Sequence, residues 1–235
     1  MNEPIIDTQT QQGLNRFLVR VYSYMAAALA VSAIVAGVVA TRWGNGVNEY
    51  LGAHPVIYFG LLALQFGIVF ALSFNPRRSP VVSVSCLFIF AALEGLFFSS
   101  LLTVYAATNV TMAFVAAAVM FGTLAFLGTT TSKNLAGWGR QAFAALIAMV
   151  IISLVNLFLH SSIIVIILSL VGVVVFGVLS AWDAQRIKQI YYQLGDEVAQ
   201  TSGIITSAAL QLYLDFLNLF LELLNIFTLF NNNRD

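Results

Sequence analysis

Long apolar runs broken by brief polar punctuation dominate this chain. Seven runs stand out, at 21–41, 55–74, 81–104, 110–128, 142–160, 163–182 and 206–230. Each approaches or exceeds the roughly 20 residues a helix needs to cross the hydrocarbon core of a bilayer. The runs are long and continuous where barrel strands would be short and alternating. Within lipid every backbone N–H and C=O must be satisfied inside the segment, so the pattern predicts an all-α membrane protein of seven transmembrane helices.

The breaks are as informative as the runs. FNPRRSP, at 74–80, stops the second span with proline and paired arginine. YAATN and LHSS are minimal loops, whereas GTTTSKNLAGWGRQ is a Gly- and Thr-rich loop. RIKQIYYQLGDEVAQTSG, the longest connector, is expected to hold an interfacial amphipathic turn or two in its first half. The chain then divides into a polar tail at 1–20, a membrane domain at 21–230 and a short tail at 231–235. Small residues crowd the spans, as in MAAALAVSAIVAGVVA and FVAAAVMFG, and allow helices to approach closely.

Composition agrees with the pattern. Of 235 residues, 60% are hydrophobic and 9% charged, against about 25% charged in an ordinary soluble domain. The mean hydropathy is +0.92. Formal net charge is zero, which suggests no nucleic-acid partner. The lone cysteine, Cys86, cannot form an intramolecular disulfide. The first fifteen residues lack Lys and Arg, unlike a cleavable signal peptide.

Charge distribution sets an orientation. Arg16, Arg20, Arg77, Arg78, Lys133, Arg140, Arg186 and Lys188 fall on one side of a seven-span arrangement, and only Arg42 and Arg234 on the other. The positive-inside rule makes the N-terminus and the basic loops cytoplasmic and the C-terminus external. Merging the fifth and sixth runs would put Lys133 and Arg140 on the opposite side from Arg186 and Lys188, so the same bias favours a break at His160.

Four acidic residues lie in or against the spans. Ionisable groups there are costly and usually face the bundle interior or a water-filled cavity. Glu94 is central in the third span, Asp183 ends the sixth, and Asp215 and Glu222 stand seven residues apart in the seventh. Asp183 has an interfacial role available, paired with Arg186 or Lys188. Should the sixth and seventh spans be neighbours, Asp183 and Asp215 could instead meet near the cytoplasmic edge and titrate as a coupled pair. One shared proton would hold them together, and its loss would separate them or admit a hard cation such as calcium. Glu94 and Glu222 are candidates for a permeation path or for buried protonated acids.

Enzyme chemistry finds no foothold. There is no P-loop, dinucleotide-binding glycine pattern or HExxH. His54 and His160 lack the clustered partners a metal site needs. Trp43, Trp138, Trp182, Tyr105, Tyr191 and Tyr192 sit near span ends, where interfacial anchoring accounts for them. Asn156, Asn218 and Asn225 are candidates for hydrogen bonds between helices. No enzyme is expected and no resident cofactor, with calcium at most a transient ligand of Asp183 and Asp215.

Several motifs, in order, resemble the Bax inhibitor-1 family, also called the transmembrane Bax inhibitor motif family. VYSYMAAALAVSA resembles its opening span, LEGLFFSSLLTVY its third, and TLAFLGTTTSKNLAGWG its fourth with the following loop. The pair SAWDAQRIK and ALQLYLDFLNLFLELL is the most specific. The short tails resemble the bacterial branch. The resemblance implies a seven-helix bundle with the seventh helix central, and a passive calcium leak controlled by pH. Family aspartates taken as the sensor match Asp183 and Asp215, and a basic residue implicated on the family's second helix could match Arg77 or Arg78. Glu222 stands where the family pattern would have apolar or small polar residues.

The expected function is therefore a pH-sensitive calcium leak channel gated by a carboxylate pair, working as a monomer in a bacterial inner membrane on calcium ions or protons. The alternative is a non-transporting membrane protein that binds and modulates a membrane protease or stress-response partner.

Overall fold

A computed structural model describes residues 8–44, 46–74 and 79–232. Arg77, Arg78 and Arg234 lie outside the described residues. Among those described there are eight helices and no strand: α1 (Thr8–Trp43), α2 (Gly46–Ala53), α3 (Pro55–Phe74), α4 (Pro80–Val104), α5 (Ala107–Thr130), α6 (Ala136–Leu159), α7 (Ser162–Ala199) and α8 (Ser202–Asn232). All except α2 are long and apolar enough to cross a membrane. The seven apolar runs thus become seven spanning helices, and the chain is an all-α, multi-span membrane protein.

Three elements differ from the sequence expectation. Residues 8–20, part of the polar tail in the sequence, form the first turns of α1, with Gly13, Leu14 and Phe17 buried on one face. That apolar stripe sits among TQTQQ and Asn–Arg letters, which hides it in a hydropathy average. α2 forms in the polar gap after α1, where GVNEYLGA buries only Leu51. The connector after the sixth span is largely helical, since α7 runs 38 residues. At about 1.5 Å per residue its stretch up to Gly195 already exceeds a hydrocarbon core of about 30 Å. Gly195 interrupts it at φ 76, ψ 165, a conformation essentially reserved for glycine.

The break at His160 is present. Its backbone is left-handed (φ 50, ψ 36) and its N–H closes α6 on the Asn156 carbonyl. The Asn156 side chain accepts the Ser161 N–H at 3.0 Å. Asn156 therefore caps the tight α6–α7 turn, a local role in place of a bond between helices.

By its contacts the chain forms two compact units, one of residues 1–104 and 188–213, the other of 105–187 and 214–235. In the first, α1 buries Ala28, Ser32 and Ala36 at every fourth position, and α4 buries Ala91, Gly95 and Ser99 likewise. A Cβ on Gly95 would stand 2.6 Å from the Ser32 carbonyl oxygen. Backbone-to-backbone approach of this kind is what small residues every four positions provide where lipid offers no hydrophobic drive for association. Ser32 Oγ lies 2.7 Å from the Ala91 carbonyl and 2.6 Å from the Tyr213 hydroxyl. With its proton directed to Ala91, Ser32 accepts from Tyr213, so one serine links three helices.

The second unit repeats the device. α5 buries Ala113, Ala117, Phe121, Ala125 and Gly128 along one stripe. Gly128 lies directly on the Ala181 carbonyl of α7. By contrast, α6 presents Ile151, Leu154 and Phe158 outward, the surface expected to meet acyl chains. α8 is the most enclosed span: 72% of its apolar window is buried, against 33% or less in the other six.

Candidate functional site

SAWDAQ, at 180–185, builds one end of the candidate site residue by residue. Ser180 donates back to the Phe176 carbonyl at 2.7 Å, which satisfies a buried hydroxyl within the helix. Ala181 meets Gly128, and the indole of Trp182 packs on Gly139 of α6. Gln185 reaches the loop between α5 and α6: its Nε2 donates to the Lys133 carbonyl at 2.8 Å and its Oε1 accepts the Leu135 N–H at 2.9 Å. This two-pronged clamp satisfies backbone groups that an irregular loop leaves open. The Asp183 backbone is thereby held from both sides along its own helix.

Asp215 lies on the face of α8 that also carries Leu212 and Leu219, three residues before it and four after. Both aspartates are buried, Asp183 5% and Asp215 7% exposed. Their side chains are joined by a hydrogen bond. Two carboxyl groups hydrogen-bond to one another only when a proton is shared between them. The second Asp215 oxygen, Oδ2, is buried and finds no hydrogen-bond partner among the described residues. The next residue of α8, Phe216, meets Phe114 and Phe121 edge to face, at centroid separations of 5.5 and 5.9 Å.

The other sequence candidates fall elsewhere. Arg186 is exposed, with its guanidinium 5.7 Å from the centre of the Trp182 ring. Glu94 is half-buried on α4, beside the Gly95–Ser32 contact. Glu222 lines a cavity together with Ser169 of α7 and Asn225 of its own helix. Glu222 is two turns along α8 from Asp215, about 10 Å by helix rise. Among the described residues there is no group of three or more His, Cys, Asp and Glu able to hold a metal. A cation at Asp183 and Asp215 would therefore rest on two carboxyl groups and on water or backbone oxygens.

A second polar cluster, in the first unit, was not anticipated. Tyr191 donates to Asp196 Oδ1 at 3.0 Å and stacks on Phe17 at 5.7 Å. Gln200 donates to the same oxygen at 3.2 Å and to the Gly13 carbonyl at 3.3 Å, and it accepts from Arg20 at 3.0 Å. These bonds tie the start of α1 to both sides of the Gly195 bend. Tyr191 reads as an interfacial anchor in the sequence, and nothing in a one-dimensional pattern pairs it with Gly13, almost the full chain away.

Comparison with known proteins places this arrangement. Residues 14–232 match the family described as inhibitor of apoptosis-promoting Bax1. An uncharacterized membrane protein of Streptococcus pyogenes is 34% identical over 227 residues, covering 97% of this chain and 98% of its own. Protein YrjE of Lactococcus lactis is 35% identical over 231 residues, 98% of each chain. Inner membrane protein YbhL of Escherichia coli is 37% identical over 223 residues, covering 93% of this chain and 94% of its own. A match over nearly the whole length, with bacterial relatives spanning every helix described above, shows that the chain belongs to the Bax inhibitor-1 family, in its bacterial branch.

Proposed function

We propose that the protein is a passive, pH-responsive calcium leak of a bacterial inner membrane, gated where Asp183 meets Asp215. The observation that carries the reading is the hydrogen bond between two buried carboxyl groups on different helices. While a proton is shared, the contact holds α7 to α8 at Asp183. Without it, two unit charges about 4 Å apart repel by about 4 kcal/mol at an effective dielectric of about 20. That outweighs the roughly 1 kcal/mol net of an ordinary hydrogen bond. The pair then parts, or a cation enters to neutralise it, and calcium favours clustered oxygen ligands.

The inner-membrane assignment is supported by the name of the Escherichia coli relative. A cytoplasmic N-terminus, with the aspartate pair near the cytoplasmic edge, follows from the eight-to-two division of Lys and Arg.

The test is calcium flux from liposomes holding the purified protein, followed against pH. Wild type is expected to show flux that changes with pH, and Asp215→Asn to flatten the dependence. Unchanged pH dependence in Asp215→Asn would sink the gate. No flux at all, with a protease or other protein co-purifying in stoichiometric amount, would replace the leak with a partner-binding role.

A further inference from the structure

A groove of about 400 Å³ runs between α5, α6 and α7 in the second unit. Ligand pockets span about 300–1,000 Å³. Met120 and Leu124 of α5, Leu135 and Trp138 at the start of α6, and Gly177 and Val178 of α7 line it. No charged side chain is among its walls. Gly177 keeps it open, since a Cβ there would meet Leu124 at 3.1 Å and Met120 at 3.2 Å. One turn on, Gly128 rests on the Ala181 carbonyl and closes α5 onto α7. Trp138 and Val174 on the rim are each 64% exposed. In a bilayer such a rim meets acyl chains and not water.

The end of the groove at Leu135 has a different chemistry. Gln185 binds the Lys133 carbonyl and the Leu135 N–H, which fixes this loop beside α7, one turn beyond Ala181 of the lining. The Lys133 and Arg186 side chains are both exposed, and Arg186 stands over the Trp182 ring that packs on Gly139. α6 begins here. Asn134 takes the Ala136 N–H at 2.8 Å, but Leu135, the N-cap, has no acceptor to offer Gly137 and Trp138. The positive end of a 24-residue helix is therefore open at the mouth of the groove. Little offsets this charge: Tyr105 to Trp182 contains no Asp or Glu, and Asp183 is buried.

We propose that the groove holds one acyl chain of a phospholipid whose anionic headgroup lies against Lys133, Arg186 and the start of α6. The apolar trough takes the chain, and the basic mouth takes the phosphate. Trp138, an apolar ring with one N–H, suits the boundary between them. The distribution of Lys and Arg puts this mouth at the cytoplasmic surface, where basic pockets between spanning helices hold anionic headgroups. The site does not depend on calcium passage.

Photolabelling of the intact protein in phosphatidylcholine nanodiscs tests it. The probe is phosphatidylglycerol with a diazirine on one acyl chain, and peptide mass spectrometry locates the adducts. They are expected to concentrate on Met120, Leu124, Trp138 and Val178. Unlabelled phosphatidylglycerol should reduce them at least threefold, and a phosphatidylcholine probe with the same diazirine should give at least threefold fewer. Val178→Phe fills the trough and should lower them at least fivefold. Lys133→Gln keeps the carbonyl that Gln185 holds, and should weaken labelling by the phosphatidylglycerol probe alone. Adducts spread evenly over outward residues such as Phe126 and Ile151, or equal labelling by the two probes, would overturn the site and leave ordinary boundary lipid. Competition by glycerol phosphate, which has the charge and no chain, would overturn it in favour of a free-phosphate site. The two-probe comparison uses the unaltered protein, so the outcome does not hang on either variant folding.

Discussion

The Tyr213 hydroxyl and Ser32 Oγ hydrogen-bond across 2.6 Å, and the same Ser32 oxygen lies 2.7 Å from the Ala91 carbonyl. A hydroxyl chain in lipid has no water to fall back on, so each member depends on the next. Tyr213→Phe keeps the ring against Phe90, 6.0 Å away, and removes one bond. The expected cost is about 1 kcal/mol, read as a lower unfolding midpoint in detergent. Ser32→Ala breaks both links and strands the Tyr213 hydroxyl, so it should cost more, about 2 kcal/mol.

The Asp183–Asp215 bond predicts strong non-additivity. An Ala in either position removes the bond and leaves the other carboxyl group buried without it. The double substitution to Ala removes both groups. In a double-mutant cycle on unfolding stability, a coupling of about 1 kcal/mol or more is expected, as for groups in direct contact. Additive effects would mean the two side chains act separately.

Gln185 holds a loop, and its removal should be visible only there. Gln185→Ala leaves the Leu135 N–H and the Lys133 carbonyl without their partner. Hydrogen exchange at 131–137 is expected to accelerate at least tenfold, with the protection of α8 unchanged. Stability should fall by about 1–3 kcal/mol, the usual penalty for unsatisfied backbone groups.

Gly195 turns the chain with φ 76 and ψ 165. Gly195→Ala meets no neighbouring atom, so its cost is purely conformational, about 1–3 kcal/mol. The strain should loosen Asp196 and Gln200 first. Limited proteolysis between 190 and 202 is therefore expected to become faster in this variant, while the α1–α4 seam stays protected. An unchanged cleavage rate would contradict the role assigned to the bend.

How far the sequence revealed the molecule depended on the kind of signal. The spans were legible because lipid demands length and apolarity together, and the run 163–182 shows both. The α7 extension was not, because Arg186, Lys188 and Asp196 lower hydropathy without weakening the helix that carries them. Asp183 and Asp215 stood out as misplaced charges in two separate motifs, SAWDAQRIK and ALQLYLDFLNLFLELL, which name the two residues and do not encode the distance between them. The Glu222 carboxyl stood out equally, yet its surroundings depend on Gly172 and on Asn156 bending the α6–α7 turn, which spacing alone does not encode. Small hydroxyls such as Ser32 were invisible, because a serine that bonds three helices has the same letter as one that bonds its own turn.

Neither compact unit is contiguous in the chain: residues 188–213 complete the first, and 214–235 complete the second. Both therefore wait for α8, which follows the other described helices along the chain. Early spans enter the bilayer with Ser32 and Gly128 already in helices, but the Tyr213 hydroxyl and the Asp215 carboxyl arrive only with α8. A chain stopped short of α8 would thus be an inserted but unfinished protein, exposing polar groups to lipid and to the cell's membrane quality control.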